Sequence, residues 1–207
     1  MKEKTFEREL PEGYREVAHV NALDKRLGII LNLVSIIIAA IVLSVAAGVF
    51  ALLGGEGQIF TFNGKSDILT LYLLCAALIV YLILHELVHG VVYKIMTGEK
   101  LTFGISWSCA FCGVPNIYTY TKTAIYASSA PLIVFSILFL ALTVAAFFIS
   151  PLLYFAAAAL LAIHLGGCSG DIYILLKISK YKSERLLVRD TGPEQFFYLP
   201  GDPQDKQ

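Results

Sequence analysis

Four long apolar stretches are separated by short polar segments, and their lengths set the first expectation about the fold. A helix needs about 20 mostly apolar residues to cross a bilayer. The stretches from Leu27 to Leu53, Ile68 to Met96, Ala124 to Ser150 and Pro151 to Ile178 each satisfy this. The expected fold class is an all-α integral membrane protein of about four transmembrane helices. Ser150-Pro151 leaves almost no loop, so the third and fourth spans should form a tight helical hairpin. Between spans two and three, apolar and polar residues alternate from Leu101 to Trp107 and again from Ile117 to Thr121, with Gly113 and Pro115 between them. This predicts two short strands in one small β-hairpin. Three segments follow: residues 1–26 as a polar N-terminal segment, 27–178 as a four-span membrane domain and 179–207 as a polar tail. There is no internal repeat, low-complexity tract or interdomain linker.

Composition agrees with a bilayer environment. Of the 207 residues, 57% are hydrophobic and only 15% charged, with a mean hydropathy of +0.71, too apolar for an ordinary soluble domain. The first 26 residues are rich in Lys, Arg and Glu and lack a removable signal peptide's apolar region, so the first span should anchor the chain. The formal net charge is zero and no basic stripe is interleaved with aromatics, which speaks against a nucleic-acid partner.

The local distribution of cations says more. Arg15, Lys25 and Arg26 precede the first span, and Lys94, Lys100 and Lys122 flank the segment between spans two and three. Lys177, Lys180, Lys182, Arg185 and Arg189 follow the fourth, whereas the other two loops hold only Lys65. The positive-inside rule then puts both termini, and the loop from Thr97 to Thr123 that holds the predicted hairpin, in the cytoplasm. Cys109 and Cys112 would face that reducing side, so a disulfide framework is not expected; Cys109-Ala110-Phe111-Cys112 has metal-ligand or redox spacing, but as a lone pair this is a weaker reading than small apolar loop residues.

The second span carries the chemistry. In His85-Glu86-Leu87-Val88-His89 the histidines are four residues apart, which puts them on one helical face where both imidazoles can reach one tetrahedral Zn2+. Glu86 beside them has the position of a general base for zinc-activated water. Burying these groups in an apolar span is costly unless they are coordinated, paired or hydrated. A histidine–carboxylate cluster that joins helices or relays protons is the competing reading.

A catalytic zinc usually has a third protein ligand. At about 1.5 Å per residue from the cytoplasmic ends of the spans, His85 and His89 lie roughly 10 to 17 Å deep, Asp171 roughly 10 Å and His164 roughly 20 Å. Asp171 fits better. It follows Gly166-Gly167-Cys168-Ser169-Gly170, small residues that permit close helix approach or loosen the helix to aim a side chain. His164 stands as an alternative ligand, a partner behind the ligands or an oxyanion donor, its other reading being a satisfied histidine between helices.

These residues resemble the site-2 protease family of intramembrane metalloproteases, and more closely a group of short bacterial membrane proteins classed as putative zincin peptidases. His85-Glu86-Leu87-Val88-His89-Gly90 is similar to the zinc motif on the first helix of the family's three-helix core. Ala127-Ser128-Ser129-Ala130-Pro131 resembles the stretch opening the second core helix, and Gly170-Asp171 the aspartate motif on the third. The family has Asp-Gly where Asp171 is followed by Ile172. The resemblance implies zinc held by His85, His89 and Asp171, Glu86 as general base, and cleavage of membrane-embedded or membrane-adjacent peptides by a multi-pass protein of the cell membrane. Asn116 would then be a candidate for gripping the substrate backbone, its other reading being a turn residue after Pro115.

Two other classes compete. A non-catalytic metal-binding membrane protein, such as a pseudoprotease or client-binding adaptor, would use the same ligands without needing Glu86. Prenyl-protein and heat-shock membrane zinc proteases recruit a glutamate from a later helix, but after Glu99 only Glu184 and Glu194 remain, both in the tail. That tail either packs beneath the site or lies against lipid headgroups. Nothing in the sequence sets the oligomeric state.

Overall fold

The computed structural model describes residues 4–54, 65–106, 110–181 and 185–201; Trp107, Cys109, Lys182 and Glu184 lie outside them. In chain order the elements begin with β1 (Phe6–Glu7), β2 (Tyr14–Asn21), α1 (Lys25–Leu52) and α2 (Lys65–Thr97). Then come β3 (Thr102–Ile105), β4 (Ala110–Gly113), β5 (Tyr118–Tyr120) and α3 (Thr121–Phe147). The chain continues through α4 (Pro151–Gly167), α5 (Ser169–Tyr181), β6 (Leu187–Asp190) and β7 (Glu194–Pro200). Among the described residues, four helical segments, with α4 and α5 counted together, are long and apolar enough to cross a membrane. Many of their large apolar residues are exposed, among them Ile36, Ile41, Leu73, Ile83 and Ile137. Such a surface suits lipid rather than water.

The expectation of an all-α fold with one hairpin is corrected, because the described residues contain seven strands in two sheets. Five form an antiparallel sheet in the order β1-β5-β6-β7-β2. The polar segments at both ends of the chain therefore fold together. Tyr14 pairs with Pro200 and Asn21 with Glu194, and the register shift between Glu16 and Ala18 breaks the period-two alternation of this edge strand.

The predicted pairing between the two central strands is also corrected. β3 pairs with β4, with Thr102 opposite Gly113 and Ile105 opposite Ala110. β5 joins β1 and β6 instead. A short connection favours the β3–β4 hairpin, whereas the Pro115-Asn116 turn carries the chain away to the larger sheet.

The chain forms two compact units. The first comprises Met1–Ile29, His85–Pro131 and Gly170–Gln207. Its core joins Val20, Val188 and Phe197 of the sheet to Ala124 of α3 and to Ile174 and Ile178 of α5. A second cluster packs Tyr93, Val114, Ile117 and Ala127, with Phe6, Val92 and Leu101 against it.

The second unit comprises Ile30–Leu84 and Leu132–Ser169. Ala46, Phe50, Ala146, Tyr154 and Ala158 form its core, and the Tyr154 hydroxyl donates to the Ala46 carbonyl at 2.8 Å. The α3–α4 hairpin has the expected tight connection: Ser150 caps α4 by accepting from the Leu153 N–H, and Pro151 opens the helix. Gly166 is required where α1 passes, since a Cβ there would lie 2.7 Å from the Ser35 carbonyl oxygen. The Ser35 hydroxyl in turn donates to the Gly166 carbonyl at 2.7 Å.

Candidate metal centre

The site grows from one face of α2. His85, His89 and Tyr93 recur every four residues and so stack along a single stripe; they are 9%, 8% and 3% exposed. Glu86 is half-buried beside them. Gly90 opens the helix surface to the β3–β4 hairpin, for a Cβ at that position would lie 2.8 Å from the Phe103 ring and 3.2 Å from the Cys112 sulfur. This close approach brings the Cys112 backbone N–H to the Glu86 carboxylate, which accepts it.

Asp171 enters from α5, in the first turn, where the helix dipole favours a carboxylate. The fourth span is broken at Cys168, between α4 and α5, so the run of small residues ends one helix and starts another. His85 Nε2 lies 3.2 Å from Asp171 Oδ2, and His89 Nε2 lies 3.3 Å from Asp171 Oδ1. One ligand atom from each of the three residues falls within 4.8 Å of the others.

The donor chemistry fits zinc. His89 Nδ1 is 2.8 Å from the Ala127 carbonyl oxygen, which can only accept, so Nδ1 carries the proton. In the neutral ring Nε2 is then a lone pair facing a carboxylate. Asp171 Oδ2 is buried and makes no hydrogen bond among the described residues, although His85 Nε2 stands beside it. The His89 lone pair and the carboxylate repel unless a cation, a metal ion or a proton on the ring, lies between them. Donor separations of 3.2 and 3.3 Å match the edge of a tetrahedron of ligands each about 2.0 Å from zinc.

The C-terminal hairpin supports this face of α2. Tyr93 donates its hydroxyl to Asp190 Oδ2 at 2.7 Å. Asp190 Oδ1 accepts from the Gly192 N–H at 2.8 Å, and Gln195 Nε2 donates to Oδ2 at 3.2 Å. Burial pushes the Asp190 carboxyl up to about 6, against the hydrogen bonds from Tyr93 and Gly192. The Asp190 carbonyl receives the Val114 N–H at 2.8 Å, and Arg189 Nε donates to the Pro115 carbonyl at 2.9 Å. These bonds pin the end of β4, and with it the Cys112 N–H.

His164 is fully buried within the second unit, with Nδ1 2.9 Å from the Tyr81 hydroxyl and Nε2 3.1 Å from the Ser136 hydroxyl. Asn116 is exposed in the β4–β5 turn. Burial pushes the Cys112 thiol up to about 12, helped by the nearby Asp190 and Glu86 carboxylates, so it stays protonated at neutral pH. Sequence reading singled out His85, Glu86, His89 and Asp171, but not Ala127, Tyr93, Asp190 or the Cys112 N–H. The advance signals among these were Tyr93, four residues beyond His89, and Ala127, which opens the stretch resembling the second core helix of the family.

No curated protein and no solved structure matches the chain. The family model described as "Putative zincin peptidase" matches residues 78–186, more than half of the 207 residues. The matched segment holds all three converging side chains, Glu86 and Ala127, and it ends before Asp190. That description is of a metallopeptidase and implies zinc. With the sequence matched over the whole metal-capable cluster, this chain belongs to the putative zincin peptidase family.

Proposed function

We propose that the protein is a membrane zinc endopeptidase of the site-2 protease kind, hydrolysing peptide bonds within or next to the bilayer, with zinc held by His85, His89 and Asp171. The observation that carries this reading is the convergence of two imidazole nitrogens on a carboxylate whose buried oxygen makes no hydrogen bond among the described residues. Zinc bound there would supply a Lewis acid for the scissile carbonyl and lower the pKa of a bound water. Glu86 takes the proton from the attacking water and passes it to the leaving amine. The Cys112 N–H orients that carboxylate. His85, Glu86 and His89 lie in a helix apolar enough to span the bilayer, which supports substrates that are membrane proteins or membrane-bound peptides.

The test is Glu86→Gln. In purified zinc-loaded protein, cleavage of membrane-embedded peptide substrates should fall by about a thousandfold, with zinc stoichiometry unchanged. Full cleavage by this variant would remove Glu86 from the mechanism. Zinc binding with no cleavage by the wild type across a broad set of membrane peptides would favour a non-catalytic client-binding protein.

A further inference from the structure

Pro131 lies inside α3, ten residues beyond its first residue, and is fully buried. A proline in a helix interior has no N–H to give to the carbonyl four residues earlier. That carbonyl belongs to Ala127, which is itself 0% exposed and so cannot turn to water for a donor. It lies 2.8 Å from His89 Nδ1. Two features that are each unfavourable alone, an interior proline and a carbonyl deprived of its helical donor, are reconciled by one histidine N–H.

We propose that Pro131 is a positioning residue of the metal centre: its missing N–H keeps the Ala127 carbonyl open for His89 Nδ1–H, which fixes the tautomer that turns Nε2 toward Asp171. The inference rests on the zinc reading above for its consequence, but the tautomer itself does not require metal. With an ordinary residue at 131, a backbone N–H competes for the Ala127 carbonyl. His89 then loses its exclusive acceptor and can place its proton on Nε2, facing the Asp171 carboxylate 3.3 Å away. A metal ion would have to displace that proton.

Two measurements test this. In metal-free wild-type protein, at a pH high enough to keep the ring neutral, imidazole nitrogen-15 shifts should show His89 protonated on Nδ1. A predominantly Nε2-protonated ring overturns the proposal, whether or not zinc binds. In Pro131→Ala the two tautomers should mix, and zinc affinity in competition with a chelator should fall about 10- to 100-fold. Pro131→Gly, which also restores the N–H, should fall by a similar factor. Unchanged tautomer and unchanged affinity in these variants would make Pro131 a packing residue only. If neither variant folds, the wild-type spectrum can still overturn the proposal. Failure of the wild type to bind zinc, with His89 protonated on Nδ1, would overturn the proposed function and leave the Ala127–His89 contact standing.

Discussion

Asp190 shows how a single side chain couples the C-terminal segment to the helix that carries the motif. Its carboxylate is held by neutral donors, Tyr93, Gln195 and the Gly192 N–H, and burial raises its pKa from 3.8 to about 6. The folded protein therefore binds a proton here more readily than the unfolded chain does. This contribution to stability is fully present below about pH 4, is lost as pH rises through about 6, and then stays flat. The loss across that interval amounts to about 3 kcal/mol. Asp190→Asn should remove this slope, which denaturation of wild type and variant in detergent between pH 4 and 7 would reveal as a difference. An identical pH dependence in the two proteins would contradict this role for Asp190. The amide should also be tolerated, because Gln195 Oε1 is buried and makes no hydrogen bond among the described residues and could accept from it after the Gln195 side chain flips. None of this was legible in advance, since Tyr93 and Asp190 lie 97 residues apart and no local pattern pairs them. His85, Glu86 and His89 were legible because helical periodicity alone puts them together. Asp171 was legible through its depth in the fourth span, the small residues before it and the likeness of Gly170-Asp171 to the aspartate motif of the family.

Among the elements, the β3–β4 hairpin depends most on contacts distant in sequence. Alternation located its first strand, but Ala110-Phe111-Cys112-Gly113 carries too little alternation to announce the second, and Tyr118–Tyr120 looked the better partner. The missing information was the β6–β7 turn, which the end of β4 meets at backbone distance. A Cβ on Gly113 would lie 2.3 Å from the Gly192 nitrogen and 2.7 Å from the Thr191 carbonyl carbon. Backbone cannot swing aside as a side chain can. Gly113→Ala should therefore destabilise the protein by about 3 kcal/mol and lower cleavage by displacing the Cys112 N–H from Glu86. A thermal midpoint and activity equal to wild type would show that this turn does not hold the hairpin. The α4–α5 break was partly legible: its small residues permitted either close packing or a loosened helix, and both occur, at Gly166 against Ser35 and at Cys168 between the two helices.

For the whole molecule, hydropathy gave the spans and left the polar ends looking like tails. They are instead the frame of the five-stranded sheet, with β1 and β2 from one end, β6 and β7 from the other and β5 from the segment between the second and third spans. Strands hydrogen-bonded in one sheet share one side of any bilayer, which supports the even number of spans read from the positive charges. The assignment of that side to the cytoplasm is our proposal and rests on the distribution of Lys and Arg. The family match covers the metal-capable cluster but neither the N-terminal strands nor the C-terminal hairpin. X-ray absorption at the zinc edge of the loaded protein, with Asp171→Ala beside it, tests the central claim most directly. Two imidazole nitrogens and a carboxylate oxygen are expected about 2.0 to 2.2 Å from zinc in the wild type, with loss of the metal in the variant. A sulfur ligand at about 2.3 Å, or an unchanged spectrum in Asp171→Ala, would contradict the proposed ligand set.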